Sequence, residues 1–350
     1  MLFPLLPNSP DNQLEVANAL PSSGRMNDDF SHSVYLQGDV VPPHIVSLIP
    51  SGTEMVCTLG CRAQLVGRSH ECDFPSDITH LPVCTQATVD SEGTSQAIQT
   101  QVSQRLQAAL SLYEVLVDRI QDLQPDVIVT QTQCEVCAVS ANEVQRALHD
   151  LVGSSPTLIS LGAQDLEGVW DDLTRVAEGL GHQAAGQAFL KQAHHRMDDI
   201  SGRSQQLPAP PTVACIEWME PLMAAGNWVP QLVHLAGGQS VFGQPGKHAP
   251  WITWEALAAS DPDILLLMPC GFSMDRIQKE LPVMTSHSFW PRLRAVQQQR
   301  VYLTDGNQFF NRPGPRLMES LEILAEIFHP TQFRFGHEGL GWQQWVPCES

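Results

Sequence analysis

From residue 44 onward, the chain alternates short apolar runs with longer amphipathic stretches. The apolar runs are rich in β-branched residues and are bounded by turn-forming residues, which is typical of buried strands. They predict strands at residues 44–49, 64–69, 126–131, 157–161, 212–218, 263–268 and 301–305. Helical patterns separate most of these strands, and this alternation predicts an α/β fold with mostly parallel sheets.

Two helical stretches shape the predicted architecture. Residues 96–124 carry apolar side chains at helical spacing and are predicted to form one long helix; the positions are Leu106, Ala109, Leu110, Tyr113, Leu116, Val117 and Ile120. Residues 165–200 form a second helical zone, which Gly179 and Gly181 interrupt. This zone separates two groups of strands, so we expect two Rossmann-like lobes joined by a single long backbone helix.

The two groups of strands share a local pattern. In each, a helix leads into a Pro-Asp pair and then an apolar strand, once at Pro125 and Asp126 and once at Pro262 and Asp263. Proline ends helices and precedes strands in many α/β proteins. The sequence therefore leaves open whether this echo is a structural duplication or a coincidence.

The predicted domain boundaries follow from these elements. Residues 1–43 are polar, aperiodic and contain Pro and Ser, so they are predicted to form a poorly ordered N-terminal arm. The N-terminal α/β lobe then covers residues 44–164, and the spanning helix region with its linker covers 165–210. The C-terminal α/β lobe covers residues 211–330, and a C-terminal tail covers 331–350.

Charge and hydropathy narrow the range of partners. The chain has 38 acidic and 19 basic residues and a formal net charge of −19, which disfavours nucleic acid and anionic membranes. The longest apolar run, residues 264–268, is far shorter than the ~20 residues that span a bilayer. A neutral or zwitterionic small molecule is the expected ligand, with no membrane insertion.

The cysteines and the first residues suggest a compartment. Nine cysteines cannot all pair within one chain, and a protein of this size does not need disulfides, so reduced thiols are expected. The N-terminus lacks a basic leader, and Pro4 and Pro7 break its apolar run. The sequence thus predicts no signal peptide and a cytoplasmic rather than periplasmic location, with Met26 as an alternative start.

Candidate ligand-binding residues collect just after the predicted strands, where the carboxyl ends of parallel strands open into a crevice. In the first half they are Ser51, Thr53, Glu54, Arg68, Ser69, His70, Glu71, Gln131 and Gln133. In the second half they are Glu217, Trp218, Asn227, Trp228, Cys270, Phe272, Asn307, Phe309 and Arg312. The tryptophans suit a large planar ligand, whereas Ser51 and Thr53 are equally suited to capping a helix.

A CxxC motif at Cys134 and Cys137 raises the question of a metal site. A structural zinc site requires a second pair at similar spacing, and the chain has none. No complete metal site is therefore predicted, and the candidate metal ligands are His70, Cys72, Cys134 and Cys137. A redox pair and cleft-lining thiols are the other interpretations of the motif.

Sequence templates for catalysis are missing. The chain has no GxSxG, no P-loop, no HExxH and no GxGxxG after a strand. This favours a non-catalytic binding protein. An enzyme with a metal or thiol site at His70, Cys72, Cys134 and Cys137, or a scaffold that works through protein contacts, are the competing hypotheses.

Several segments together resemble the helical-backbone (class III) solute-binding proteins, of the cobalamin-binding and iron-siderophore type. The segments that carry this resemblance are residues 44–54, 65–75, 133–137, 217–218, 226–230, 235–238, 269–272 and 311–316. The resemblance implies a ligand cleft between two lobes, one spanning helix and limited closure, because that helix resists hinge bending. It also implies an ABC-transporter permease as partner, but with no evident export signal we expect an intracellular carrier or sensor.

The ligand expected from this resemblance is cobalamin or a related corrinoid. Corrinoids carry amides around their rim, which suit the side chains of Gln131, Gln133, Asn227 and Asn307. A ferric siderophore would favour several cleft cations, and only Arg68, Arg312 and Arg316 are available. Siderophore or haem binding on the same fold is the alternative.

Overall fold

The computed structural model describes residues 42–107, 113–131 and 156–347. The predicted N-terminal arm, apart from its last two residues, lies outside the described residues. The same is true of Gln133, Cys134 and Cys137, so the predictions made for them stay predictions.

The described strands are β1 (Ile45–Ser47), β2 (Leu65–Arg68), β3 (Thr85–Ala87), β4 (Tyr113–Val115), β5 (Val127–Gln131), β6 (Thr157–Leu161), β7 (Thr212–Met219), β8 (Leu222–Ala224), β9 (Gln239–Ser240), β10 (Ile264–Leu267), β11 (Val301–Thr304) and β12 (Trp342–Gln344). The described α-helices are α1 (Pro50–Thr58), α2 (Ser95–Gln107), α3 (Val117–Leu123), α4 (Leu166–Gly179), α5 (Gln183–Ser204), α6 (Val229–Leu235), α7 (Trp254–Ser260), α8 (Met274–Glu280), α9 (Pro282–Thr285), α10 (Arg294–Gln297) and α11 (Leu317–Phe328). Short 3-10 helices lie at Arg62–Gln64, Ser76–Ile78 and Trp290–Arg292. Within the described ranges, no helix has the length and apolar character needed to cross a membrane.

The strands form two main sheets, one in each lobe. The first sheet has the order β2-β1-β5-β6, and all its pairs are parallel. The second has the order β12-β11-β10-β7-β8, with β9 beside β7. Its strands β7, β9, β10 and β11 pair in parallel, whereas β8 and β12 are antiparallel additions. The strands predicted from the apolar runs are all present, and the α/β prediction is confirmed.

The two Pro-Asp pairs have the same structural role in the two lobes. The carboxylate of Asp126, before β5, accepts a hydrogen bond of 2.8 Å from the backbone N–H of His44. The carboxylate of Asp263, before β10, accepts one of 2.8 Å from the backbone N–H of Thr212. Each aspartate therefore fixes the start of a central strand to the start of its neighbour, which supports the duplication.

Two consecutive helices span the lobes. The side chain of Asp165 caps α4 by accepting a hydrogen bond from Gly168 N–H, and the predicted break follows at Gly181, whose φ is +72°. Helix α5 has 22 residues, which is about 33 Å at 1.5 Å per residue. Because α4 packs against α1 while α5 packs against α6 and α11, this region contacts both lobes.

The prediction of one helix over residues 96–124 is wrong. The segment contains helix α2, strand β4 and helix α3, and β4 pairs antiparallel with β3. Tyr113 and Val115 pack against the apolar core of the first lobe. Aromatic and β-branched residues favour strands, and here pairing with β3 and burial override the helical period.

The segment 88–107, which we call the α2 strap, reaches from the first lobe to the second. Ile98 of the strap is 9% exposed and belongs to the apolar core of the second lobe. The guanidinium of Arg276 donates a hydrogen bond of 2.7 Å to the carbonyl oxygen of Gly93. The hydroxyl of Ser95 donates one of 3.2 Å to the carboxylate of Glu280. The strap therefore joins the lobes at a second place, apart from α4 and α5.

The segment predicted as a C-terminal tail contributes to the second sheet, because β12 pairs with β11. The buried carboxylate of Glu326, on α11, holds this segment in place. It accepts hydrogen bonds from the backbone N–H groups of Gly336 (2.6 Å) and His337 (3.2 Å) and from Trp342 Nε1 (2.8 Å). The second lobe therefore extends beyond the boundary predicted at residue 330.

Candidate functional site

A cleft of about 250 Å³ lies between the lobes, at the carboxyl ends of the parallel strands. The predicted ligand-binding residues that line it are Ser51, Ser69, Glu71, Gln131, Glu217, Asn227, Trp228, Cys270, Asn307 and Arg312. They come from both lobes, as expected for a site between two sheets. The indole of Trp228 is 6% exposed, and its Nε1 donates a hydrogen bond of 2.6 Å to the carbonyl oxygen of Phe310.

The other predicted residues lie outside this lining: Thr53, Glu54, Arg68, His70, Trp218, Phe272 and Phe309. The aromatic ones pack within the protein. Trp218 and Phe272 belong to the core of the second lobe, with ring centroids 5.4 Å apart. Phe309 packs against the larger apolar core that runs through both lobes.

The polar residues outside the lining have partners elsewhere. The hydroxyl of Thr53 donates to the carbonyl oxygen of Ile49, which directly precedes α1, at 3.3 Å. The guanidinium of Arg68 donates to backbone carbonyl oxygens, including that of Thr79 at 2.8 Å. His70 Nδ1 lies 2.7 Å from the hydroxyl of Thr85, which gives this ring a structural role at the cleft edge.

Several lining residues were missed by the sequence analysis, among them Thr85, Tyr113, Gln164, His248 and Asn311. Tyr113 was assigned to a helix, although its hydroxyl donates a hydrogen bond of 2.7 Å to the carboxylate of Glu71. His248 lies in a loop between β9 and α7, whereas the candidates were taken from positions just after predicted strands.

A group of charged residues, Glu54, Asp73, Arg312 and Arg316, links the lobes beside the cleft; we call it the inter-lobe ion network. Arg316 contacts the buried carboxylate of Glu54 at 2.6 and 3.0 Å. Arg312 contacts Glu54 at 3.4 Å and Asp73 at 2.6 Å. Burial opposes ionisation of Asp73, but the hydrogen bond and charge of Arg312 outweigh it and lower the pKa of Asp73.

Asn307 completes the polar surroundings of Arg312. Its side-chain oxygen accepts a hydrogen bond of 3.0 Å from the guanidinium of Arg312, and its Nδ2 donates one of 2.9 Å to Asp73. Arg312 therefore lines the cleft, but its guanidinium already donates hydrogen bonds to Asp73 in the first lobe and to Asn307 in the second.

Glu217 brings a carboxylate to the cleft from β7. It accepts a hydrogen bond from the backbone N–H of Gly226. Burial raises the pKa of Glu217 to about 7, an effect that this hydrogen bond and nearby His248 offset only in part. Burial thus favours the protonated form of this carboxyl group, which is able to donate a hydrogen bond as well as accept one.

The loop that carries His248 is fixed against the segment 224–227. The backbone N–H of Asn227 donates to the carbonyl oxygen of Lys247 at 2.7 Å, and that of Ala224 donates to the carbonyl oxygen of Pro250 at 3.0 Å. The two segments lie so close together that residue 226 must be glycine, because a Cβ atom there would come within 2.5 Å of the opposite backbone.

The thiols at the site differ in accessibility. Cys72 is buried, and burial raises its pKa to about 12, whereas Cys270 is exposed and lines the cleft. Over the part of the chain that the structure describes, no three His, Cys, Asp or Glu side chains are grouped so as to hold a metal ion. The candidates Cys134 and Cys137 lie outside that part.

Comparisons with known proteins agree with this architecture. The family model described as periplasmic binding protein matches residues 45–307. The vitamin B12-binding protein of Photorhabdus laumondii is 21% identical over 301 residues, which cover 85% of this chain and 90% of that protein.

Solved structures with the same fold include proteins with different ligands in their names. The periplasmic vitamin B12-binding protein of Vibrio cholerae matches with a TM-score of 0.58 at 19% identity, covering 84% of this chain and 99% of that one. A periplasmic heme-binding protein from Pseudomonas aeruginosa matches with a TM-score of 0.61 at 21% identity, covering 83% and 94%. With its two lobes, its spanning helices and a family match over most of its length, the chain belongs to the periplasmic binding protein family, of class III.

Proposed function

We propose that this protein is a non-catalytic binding protein for a corrinoid of the cobalamin type, which it holds in the cleft between its lobes. The observation that carries the proposal is the charge of the cleft. Over the described part of the chain, carboxyl and amide groups line it together with the guanidinium of Arg312, which already binds acceptors from both lobes.

This charge distribution discriminates between ligand classes. Haem carries carboxylates, and an anionic group buried in a cleft requires a cation or several donors that are free to bind it. Here an anionic ligand would meet the carboxylate of Glu71 and would compete with Asp73 for Arg312. An anionic ligand is therefore disfavoured.

A corrinoid of the cobalamin type lessens this conflict, because its rim carries uncharged carboxamides and the single charge of its phosphodiester is balanced by the positive cobalt–corrin centre. The side chains of Gln131, Gln164 and Asn227 line the cleft and offer both donors and acceptors to such groups. The carboxyl group of Glu217 does the same in its protonated form, which burial favours, and Trp228 supplies a flat apolar contact. Similarity to proteins named for vitamin B12 also supports a corrinoid, while the structural match to a heme-binding protein makes haem the competing ligand.

The size of the cleft adds a mechanical requirement. At about 250 Å³ it lies below the ~300–1,000 Å³ of sites for drug-sized ligands, and a corrinoid is larger than these. A ligand of this size therefore either extends out of the cleft into solvent or requires the lobes to move apart. Between the lobes, the inter-lobe ion network and the α2 strap are the contacts that this movement strains, while α4 and α5 hold the lobes together.

Calorimetric titration of the reduced, full-length protein with cyanocobalamin and, separately, with hemin tests the proposal. We expect one-to-one binding of cyanocobalamin, with much weaker binding of hemin. Trp228→Ala is expected to reduce the affinity about tenfold or more, because it removes a buried aromatic contact. Trp251→Ala is the matched control, since Trp251 is 54% exposed and lies outside the cleft lining.

Thermal unfolding in the same samples separates loss of binding from loss of fold. Ligand at ~100 times its dissociation constant should stabilise the protein by about 2.7 kcal/mol. Tight binding of hemin without binding of cyanocobalamin would replace the corrinoid by haem. Binding of neither ligand by a folded protein would reject the proposed function.

We propose a corrinoid carrier or sensor as the cellular role. A corrinoid carrier or sensor without catalysis should return cyanocobalamin chemically unchanged after incubation, which chromatography of the released ligand measures. The cytoplasmic location and the partnership with a transporter permease stay predictions, which cell fractionation and co-purification test.

A further inference from the structure

We propose that His248 Nε2 forms a coordinate bond to the cobalt of the bound corrinoid. This inference rests on the proposed function and adds a metal ligand to the cleft. In the ligand exchange, the lone pair of Nε2 forms the new bond to cobalt, and a neutral water molecule that occupied the axial position leaves with its own electron pair.

The hydrogen bond of the ring determines which nitrogen is available. His248 lines the cleft, and its Nδ1 lies 3.0 Å from the carbonyl oxygen of Ala249. A carbonyl oxygen only accepts, so Nδ1 carries the hydrogen in this bond and the neutral ring keeps its lone pair on Nε2. A backbone carbonyl that accepts from the other ring nitrogen is the usual arrangement around a metal-bound histidine.

The backbone around His248 is fixed in advance. The carbonyl oxygens on either side of it, those of Lys247 and Ala249, accept hydrogen bonds from Asn227 N–H and from the imidazole itself. Gly226 lets these segments approach, and the N–H of Gly246 donates to the carbonyl oxygen of Asn227 at 3.0 Å. A ligand held by such a rigid loop loses little conformational freedom when the metal binds.

Two other donors near the cleft, His70 and Glu217, fit cobalt less well; the exposed thiol of Cys270 also lines the cleft, and Cys270→Ser is expected to keep the nitrogen splitting described below. His70 does not line the cleft, and its Nδ1 contacts the hydroxyl of Thr85. The carboxyl group of Glu217 is a hard oxygen donor, whereas imidazole suits later transition metals. Among the described residues that line the cleft, His248 is the histidine. The assignment thus differs from the sequence analysis, which placed His70 at the ligand.

The probe for this inference is cobinamide, a corrinoid that lacks the nucleotide base and so leaves axial positions to water. Its reduced form, cob(II)inamide, has an unpaired electron on cobalt. A bound imidazole nitrogen then splits the electron paramagnetic resonance lines into triplets, and into doublets when the protein's histidines are labelled with nitrogen-15. We expect this splitting in the wild-type complex.

His248→Ala is expected to remove the splitting and to lower the affinity for cobinamide about tenfold or more, as for lost metal ligation. Cyanocobalamin serves as an internal control, because cyanide and its own base fill both axial positions. Because His248 also lines the cleft, the affinity for cyanocobalamin is expected to fall in this variant, but by much less than the affinity for cobinamide. His70→Ala is the matched control variant and should keep the splitting, and added imidazole should restore it in His248→Ala.

Each outcome bears on one of the two proposals. Cobinamide that binds without nitrogen splitting, or with equal affinity to wild type and His248→Ala, overturns the cobalt ligand and leaves corrinoid binding intact. Loss of the splitting in His70→Ala but not in His248→Ala also overturns it. If neither cobinamide nor cyanocobalamin binds, the proposed function itself fails.

Discussion

Replacing Glu217 by Gln removes a carboxyl group that burial makes difficult to ionise. Burial raises the pKa of Glu217 from an ordinary 4.5 to about 7. Each pKa unit corresponds to about 1.36 kcal/mol, and the side chain keeps some access to water in the cleft. We therefore expect ionisation of Glu217 to destabilise the folded protein by about 1–3 kcal/mol.

The sign of the pH dependence follows from the direction of the shift. Because the pKa is higher in the folded state than in the unfolded one, the folded state binds the extra proton between these values. This contribution to stability is fully present below about pH 4.5 and is lost as the pH rises through about 7. Glu217→Gln stays neutral, so its free energy of unfolding should lack this dependence on pH. The difference in the free energy of unfolding between the variant and wild type should therefore shift in favour of the variant from pH 5 to pH 8.

Urea unfolding of both proteins at several pH values between 5 and 8 measures this difference. Glu71→Gln is the control, since Glu71 also lines the cleft but is exposed and accepts a hydrogen bond from Tyr113. It should follow the wild-type slope. Parallel curves for wild type and Glu217→Gln over the whole range would refute the reasoning.

Three further changes test other parts of the site. Glu54→Gln leaves the buried guanidinium of Arg316 without its carboxylate and should lower the free energy of unfolding by about 3–5 kcal/mol in urea at pH 7; a loss under about 1 kcal/mol contradicts the buried pair. Gly226→Ala places a Cβ atom 2.5 Å from the opposite backbone, so we expect calorimetry to show weakened cyanocobalamin binding, and unchanged affinity would contradict this packing. Asp73→Asn weakens the contact of Arg312 with the first lobe, and faster association of cyanocobalamin in stopped flow is expected; an unchanged rate would show that this contact does not limit opening.

Much of the fold could be predicted because the residue composition of each strand and the turn residues at its ends indicated the same element. The run that forms β6 is apolar, β-branched and bounded by turn residues, and the strand has the predicted limits, Thr157–Leu161. The prediction for the region around Tyr113 was wrong because the spacing of apolar residues along the chain does not show that this segment pairs with β3. Competition between a helical period and a distant strand is decided by tertiary contacts, which lie outside any short window.

The site was predicted best where it follows directly from strand geometry. Successive side chains on a strand point to opposite faces, so Glu217 faces the cleft while Trp218 packs in the core. The sequence analysis assigned both side chains to the ligand site, although both lie at the end of the predicted strand 212–218, where neighbouring side chains face opposite ways. His248 lies in a loop, and its position depends on hydrogen bonds to the distant Asn227.

The α2 strap has a consequence for how the protein unfolds. Its Ile98 is part of the second lobe's apolar core, while the larger core, which includes Ile45 and Leu321, runs through both lobes. If the first lobe melted alone, it would expose apolar surface that the second lobe needs for its own stability. The two lobes are therefore coupled into one cooperative unit, and calorimetric melting should give a single transition whose van't Hoff and calorimetric enthalpies agree.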